Sequence, residues 1–311
     1  MKILIYGGSG YLGSSIANSL KKNCEVSIIS RNKIKKKLID NITWLNKKKN
    51  SNQINASIKK ANIIIISNGP TQERSKKELF EYSKYFFNEI DRIKKNKNKN
   101  SKIIFFSSIH VYENKNKKKI EVYDNLYSKS YYGIQNILCE NIILNKFRSN
   151  FDKIKIIRLS NIFGVINNTK INYENNMVKL AINQFCLKTI KQEKIYIKSN
   201  KSQKRNYVSI NDFIKFVKFL IYENKKLPAI INYSSNSTVS LNNIMKAIKN
   251  ESKKLEIREP KFTFKNKIKN SKINYATNNK LLSILNIEPK IKFNEEILNT
   301  LNQFNYFYKN I

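Results

Sequence analysis

Glycines near the N-terminus form the most specific chemical pattern in this sequence. Gly7, Gly10 and Gly13 have the spacing G-x-x-G-x-x-G, in a chain with only 7 glycines among 311 residues. The first glycine permits a tight turn, the second lets a phosphate approach the backbone, and the third lets a helix pack closely on a strand. Free N–H groups at the start of a helix also attract phosphate oxygens. We therefore predict that these glycines bind a pyrophosphate, together with Tyr11 and Leu12.

The residues after the second predicted strand indicate which dinucleotide such a loop would bind. An acidic residue there would bond the ribose 2′-hydroxyl and favour NAD, but the strand ends at Ser30 and is followed by Arg31. A guanidinium can stack on adenine and pair with a 2′-phosphate. We therefore predict NADP in preference to NAD, with Arg31 and Asn68 among the cofactor contacts. The alternative is that Arg31 is one basic surface residue among many.

The glycine pattern is informative because a strand precedes it and a helix follows it. Lys2–Tyr6 is a short apolar run that stops at glycine, and a helix is expected from Tyr11 to Lys22. Further strands are predicted at Glu25–Ser30, Thr43–Leu45, Asn62–Ser67, Lys102–Ser108 and Lys153–Leu159, and further helices at Ser75–Lys95 and Tyr131–Phe147. Strands that alternate with helices in this way predict an α/β fold with a doubly wound parallel sheet of the Rossmann type.

The charge of the chain first suggests a polyanionic partner. There are 60 Lys+Arg against 22 Asp+Glu, a net charge of +38. The excess runs from end to end together with Asn and Ile, which is typical of a compositional bias. Basic runs such as 33–37 and 115–119 lack the interleaved aromatic residues that stack on RNA bases. Nucleic-acid binding is therefore unfavoured, and RNA binding stays only as a minor alternative.

Cysteine and histidine usage restricts the compartment and the metal chemistry. Three cysteines without C-x-x-C spacing and a single histidine argue against a zinc site and a disulfide framework. The N-terminal apolar run is too short for a signal peptide, and no apolar run approaches the ~20 residues of a membrane span. We expect a cytoplasmic protein with no metal and no membrane contact.

Several further segments match known motifs in order along the chain. They are Phe106–Tyr112, Tyr132–Asn136 with Glu140, Arg158–Gly164, Arg205–Asp212, Ile231–Ser235 with Val239–Leu241, and Leu285–Lys290. With the glycine loop, they resemble the extended short-chain dehydrogenase/reductases, or NAD-dependent epimerase/dehydratase proteins. This resemblance implies an NAD(P)-binding Rossmann domain over 1–165, with 203–225 returning to it. A smaller α/β domain over 166–311 would mainly bind a nucleotide-sugar substrate.

The resemblance also implies the catalytic residues. Ser108 of S-S-x-x-V-Y and Tyr132 of Y-x-x-x-K would form the catalytic pair. Hydride would move between nicotinamide and a sugar carbon, while Tyr132 gives or takes the proton on the adjoining oxygen and Ser108 hydrogen-bonds it. His110, Asn161 and Arg205 would contact the sugar nucleotide, with Arg205 near the diphosphate.

The chain departs from the family pattern at Asn136, which replaces the catalytic lysine. Asparagine can still bond the nicotinamide ribose, but it carries no charge to lower the pKa of Tyr132. The family's 4,6-dehydratases carry an Asp-Glu pair where this chain has Ile109 and His110, which argues against that reaction. We predict an epimerase or a 4-keto-reductase of nucleotide sugars. The resemblance also implies a homodimer, since members of the family commonly dimerise. The alternative is a catalytically impaired NADP-binding sensor or scaffold.

Overall fold

The computed structural model describes residues 1–31, 41–69, 75–112, 119–166, 180–223, 226–269, 276–277 and 280–309. The strands are β1 (Lys2–Tyr6), β2 (Glu25–Ser30), β3 (Ile42–Asn46), β4 (Ile63–Ile66), β5 (Lys102–Ser108), β6 (Lys119–Ile120), β7 (Ile154–Leu159), β8 (Asn161–Phe163), β9 (Ile195–Ser199), β10 (Lys204–Ser209), β11 (Ile230–Tyr233), β12 (Thr238–Ser240), β13 (Phe262–Lys269) and β14 (Ala276–Thr277). The helices are α1 (Tyr11–Leu20), α2 (Ser51–Lys60), α3 (Lys76–Asn96), α4 (Tyr131–Lys146), α5 (Ala181–Ile190), α6 (Ile210–Tyr222), α7 (Leu241–Lys254), α8 (Lys280–Ile284) and α9 (Phe293–Lys309).

A seven-stranded sheet forms the centre of the molecule. Its strand order is β3-β2-β1-β4-β5-β7-β11, and every neighbouring pair is parallel. The order reverses between β1 and β4, which leaves a crevice at the carboxyl ends of the strands where ligands bind in such folds. The α/β class with a doubly wound parallel sheet is confirmed.

Both faces of the sheet are buried, which explains why its strands are nearly continuous apolar runs. Alternate residues point to opposite faces. Ile3 and Ile5 of β1 face the core shared with α1 and α6, whereas Leu4 and Tyr6 face the core shared with α2, α3 and α4. This two-sided packing fixes the strand ends, and therefore the residues that follow them.

One helix beside the large sheet and one strand within it were not predicted from the sequence. Helix α2 has the sequence SNQINASIKK and buries only Ile54 and Ile58, a single i,i+4 pair, so its apolar periodicity is weak. Strand β11 lies far from the other strands in sequence yet pairs with β7 at the sheet edge. Helix α6 packs beside α1, so the layers around the large sheet include residues from the C-terminal half.

A smaller unit packs beside the carboxyl edge of the large sheet. Helices α5, α7 and α9 share a core with β9, in which Cys186, Ile248 and Leu301 are fully buried. Three small sheets accompany it, with the orders β12-β10-β8, β13-β9 and β14-β6. The domain boundaries at 165/166 stay a prediction. Within the described ranges, no helix is long and apolar enough to cross a membrane.

Candidate active site

The glycine loop joins β1 to α1 in the geometry expected of a pyrophosphate site. Gly7 has a φ of +78°, and a Cβ on Gly13 would overlap the Gly7 carbonyl oxygen. No side chain caps α1 at Gly10, and its first turn contains no acidic residue. The backbone at Tyr11 and Leu12 therefore offers the positive end of the helix to an anion, which fits the pyrophosphate of a dinucleotide.

Two predicted cofactor residues lie further along the same edge of the sheet. Arg31 is exposed one residue beyond β2. Asn68 follows β4. Its backbone lies so close to Gly7 that a Cβ on Gly7 would be 2.7 Å from the Asn68 backbone nitrogen. The Asn68 amide donates to the Tyr85 hydroxyl at 3.3 Å. Lys47 follows β3. Burial lowers its pKa, the ion pair with Glu89 at 3.5 Å opposes this, and nearby Arg31 lowers the pKa further.

The predicted catalytic pair is assembled where β5 meets the start of α4. Ser108 is the last residue of β5, and its hydroxyl accepts from the His110 backbone N–H at 3.2 Å. Tyr132 is the second residue of α4. A Cβ on the next residue, Gly133, would overlap the Ser128 hydroxyl and the His110 carbonyl oxygen. Only glycine therefore lets the helix start this close to the turn after β5, which brings Tyr132 to Ser108.

The environment of Tyr132 is uncharged. Burial raises the pKa of the Tyr132 hydroxyl, and side-chain hydrogen bonds with Ser108 and Asn136 lower it by less. No described charge is among the causes. The rings of His110 and Tyr132 meet edge to face, 5.5 Å apart at 75°. At neutral pH the hydroxyl therefore keeps its proton and can act as a donor.

Asn136 is held under Tyr132 by its own helix. Only 1% of its surface is exposed. Its Nδ2 donates to the Tyr132 carbonyl oxygen at 2.8 Å, one helical turn back. Since an amide nitrogen has two hydrogens, one N–H stays for the site.

A buried ion pair fixes α4 on the sheet directly behind these residues. The Arg158 guanidinium on β7 donates to Glu140 of α4 from Nη2 at 2.7 Å and from Nε to both carboxylate oxygens at 3.1 Å. Ser107 also donates to Glu140, and Arg158 donates to the Tyr112 hydroxyl. The exposed fractions of Arg158 and Glu140 are 3% and 0%. The sequence motifs contain these residues, but no spacing along the chain indicates this positioning role.

The predicted substrate residues lie on the paired strands β8 and β10. Asn161 donates through Nδ2 to the Asn206 carbonyl oxygen at 2.8 Å, which ties β8 to β10. Arg205 is half-buried, and its guanidinium forms no hydrogen bond or ion pair with the described residues. The structure thus brings Ser108, His110 and Tyr132 together, with Asn161 and Arg205 on the neighbouring small sheet.

Comparison with known proteins identifies the family. The sequence profile of the NAD dependent epimerase/dehydratase family matches residues 3–233. The chain belongs to this family, and the resemblance seen in its motifs is confirmed. A search of curated protein sequences gives no match.

Solved structures with this fold include several nucleotide-sugar enzymes. UDP-glucuronic acid 4-epimerase from Bacillus cereus, in complex with UDP-glucuronic acid and NAD, has a TM-score of 0.81 at 16% identity, over 99% of this chain and 100% of that one. UDP-glucose 4-epimerase from Thermotoga maritima has a TM-score of 0.78 at 18% identity, over 100% and 99%. An NAD-dependent NDP-hexosamine 5,6-dehydratase has a TM-score of 0.79 at 17% identity, over 98% of both chains. At these identities the likeness defines the fold.

Proposed function

We propose that this protein is an NAD(P)-dependent epimerase or 4-keto-reductase that acts on a nucleotide-diphosphate sugar. The observation that carries the proposal is the meeting of Ser108 and Tyr132 at the carboxyl edge of the sheet. The glycine loop lies at the same edge, two strands away along β5-β4-β1. At ~4.8 Å per strand this is about 10 Å, the scale of a dinucleotide that crosses the edge.

The chain's own residues handle the proton in this reaction. When bound, the dinucleotide supplies or accepts the hydride. In reduction, the Tyr132 hydroxyl donates its proton to the keto oxygen of the sugar, and the Ser108 hydroxyl donates a hydrogen bond to the same oxygen. The second N–H of Asn136 then stabilises the phenolate that remains.

The uncharged surroundings of Tyr132 favour the 4-keto-reductase over the epimerase. Epimerisation begins by oxidising an alcohol, which requires tyrosinate as the base. Burial raises the pKa of Tyr132 and no described cation opposes it, so tyrosinate is scarce at neutral pH. Reduction of a ketone needs the protonated form, which this site maintains.

The discriminating experiment follows reduced cofactor with a panel of nucleotide 4-keto sugars and the corresponding alcohols. We expect ketone reduction near pH 7 that is lost in Tyr132→Phe and reduced in Ser108→Ala. The variant Tyr131→Phe, one residue earlier and exposed, is the matched control and should keep activity. Cofactor binding without turnover of any sugar would instead support the sensor or scaffold alternative.

We also propose a preference for NADP. Arg31 lies where a 2′-phosphate would reach the edge beyond β2, with Lys47 beside it beyond β3. Lys47 is already paired with Glu89, its Nζ 3.5 Å from a carboxylate oxygen, so the Arg31 guanidinium is the cation that favours a dianion there. The solved relatives named above are described with NAD, so the preference needs a direct test. Arg31→Glu should weaken NADP binding at least tenfold and change NAD binding little. Equal affinities in the wild type would refute the preference.

A homodimer is the proposed assembly. Helices α3 and α4 pack together, and each exposes apolar residues seven positions apart, which places them on one face. These are Phe80 at 72%, Phe87 at 45%, Tyr131 at 45% and Leu138 at 37% exposed. Sedimentation of the wild type should give a dimer, and the double variant Phe80→Glu/Phe87→Glu a monomer.

A further inference from the structure

Glu296 of α9 lies in an unusual position for a carboxylate. Its side chain is fully buried. It accepts from the Ser209 hydroxyl at 2.7 Å and from Asn211 Nδ2 at 3.1 and 3.2 Å. No described lysine or arginine forms an ion pair with it. A buried carboxylate without a cation is costly when ionised, so this site favours the protonated acid.

The backbone at Gly164 connects Glu296 to the glycine loop. Gly164 has a φ of +103°, and a Cβ there would overlap the Glu296 carboxyl group. Its carbonyl oxygen accepts from the Tyr11 hydroxyl at 2.9 Å and from Asn183 Nδ2 at 3.1 Å. We call Tyr11, Gly164, Asn183 and Glu296 the Gly164 junction. It joins the first residue of α1 to α5 and α9 of the smaller unit.

The same junction ends the strands that carry the predicted substrate residues. Gly164 directly follows β8, which contains Asn161, and Ser209 is the last residue of β10, which contains Arg205. A change at Glu296 therefore acts on the ends of both strands and, through Tyr11, on the start of α1. The Tyr11 hydroxyl also interacts with the Asn183 side chain of α5, and its ring packs against the core of the smaller unit.

We propose that Glu296 is a positioning residue for the cofactor, which holds the start of α1 in its binding geometry while protonated and releases it when ionised. The proposal rests on the proposed function in so far as the glycine loop binds a dinucleotide. Ionisation places an uncompensated charge against the Gly164 backbone, and opening of the contact to water relieves it. The hydrogen bond from the Tyr11 hydroxyl to the Gly164 carbonyl oxygen then weakens.

The titratable and charged groups around Glu296 place the ionisation of its carboxyl group near neutral pH. Tyr11 of α1 and Cys186 of α5 both have pKa values raised mainly by burial, and further by Glu296. Burial raises the pKa of Glu296 to about 7, against the hydrogen bonds from Ser209 and Asn211, which lower it. Asp212 of α6 raises this pKa further, and Lys215 lowers it. Asp212 is itself held by the Lys290 and Ile291 backbone N–H groups at 2.9 and 2.7 Å.

The test measures the glycine loop directly, with and without cofactor. Amide hydrogen exchange over residues 7–20 is followed in the ligand-free protein at pH 6 and pH 8, corrected for the intrinsic rate. The dissociation constants of NADPH and NADH are measured at the same pH values. In the wild type we expect faster loop exchange and up to about tenfold weaker binding at pH 8, the ratio of the protonated fractions of Glu296.

Glu296→Gln keeps the shape of the side chain without the charge and should remove both pH effects. Glu295→Gln, the exposed neighbour on α9, is the matched control and should keep them. Tyr11→Phe should give fast exchange at both pH values, whereas Tyr308→Phe, exposed on α9, should match the wild type.

The outcomes separate this proposal from the proposed function. If neither dinucleotide binds but loop exchange follows the protonation of Glu296, the junction stands and the cofactor assignment fails. If a dinucleotide binds but Glu296→Gln retains the pH dependence of loop exchange, or Tyr11→Phe leaves exchange at pH 6 unchanged, the proposal is overturned.

Discussion

Restoring a lysine at Asn136 is the sharpest test of how this site moves protons. Asn136→Lys would place an ammonium one helical turn from Tyr132, whose pKa is raised by burial and opposed only by neutral partners. A cation ~4 Å from a phenol at an effective dielectric of ~20 contributes about 4 kcal/mol, or roughly three pKa units. As long as the pKa of Tyr132 stays above the working pH, each unit by which the lysine lowers it raises the tyrosinate fraction about tenfold.

The variant should therefore accelerate alcohol oxidation near neutral pH and shift its optimum downward. Ketone reduction should gain less, because the protonated hydroxyl already predominates. The side chain at position 136 is only 1% exposed, and the variant loses the hydrogen bond from the Asn136 amide to the Tyr132 carbonyl oxygen. We therefore expect a stability loss of about 1–3 kcal/mol. Thermal denaturation checks that cost separately from the rate.

The assays are pH–rate profiles in both directions and an ultraviolet titration of tyrosinate. Subtracting the profile of Asn136→Lys/Tyr132→Phe isolates Tyr132 from the other 16 of the 17 tyrosines. Asn145→Lys is the matched control, because the Asn145 amide donates the same kind of hydrogen bond, to the Asn141 carbonyl oxygen at 2.9 Å, on the exposed side of α4. An oxidation rate that is unchanged or lower, in a folded variant, would refute the reasoning.

Three further predictions concern stability and positioning. Glu140→Ala should lower the free energy of unfolding by denaturant by about 3–5 kcal/mol, because it leaves a buried guanidinium without its carboxylate. Glu25→Ala removes a carboxylate that is 62% exposed and should cost under ~1 kcal/mol. Similar costs for the two variants would contradict this. Gly133→Ala should lower turnover by about 10²-fold through displacement of α4. Gly69→Ala, whose Cβ would meet among the described residues only the Phe106 carbonyl oxygen at 4.0 Å, should be tolerated. Glu296 has a folded pKa of about 7 against 4.5 for the free side chain, so its contribution to stability is full below pH ~4.5 and is lost as pH rises through 7. The loss amounts to about 3 kcal/mol, and the difference in unfolding free energy between the wild type and Glu296→Gln should show it between pH 4.5 and 8; a constant difference would show that the carboxyl does not titrate there.

The sequence by itself determined the parallel α/β class and the strands of the large sheet other than β11. Its strands are buried on both faces, so their apolar runs are long enough to recognise, and the predicted bounds of β1, β2 and β5 agree with the structure. The glycine loop could also be predicted, because the spacing of its glycines reflects local backbone geometry. Helix α2 escaped prediction because only Ile54 and Ile58 reach the core.

The tertiary structure alone decided what surrounds the catalytic pair. That Gly133 must be glycine depends on Ser128 and His110, which approach it from other segments. The ion pair of Glu140 with Arg158 joins a helix to a strand, and no spacing in the sequence specifies that contact. Glu296 lies next to Ile297 on an amphipathic helix and reads as an ordinary acidic residue. Its burial against Gly164 follows from packing between distant elements, because desolvation depends on neighbours that the local sequence does not contain.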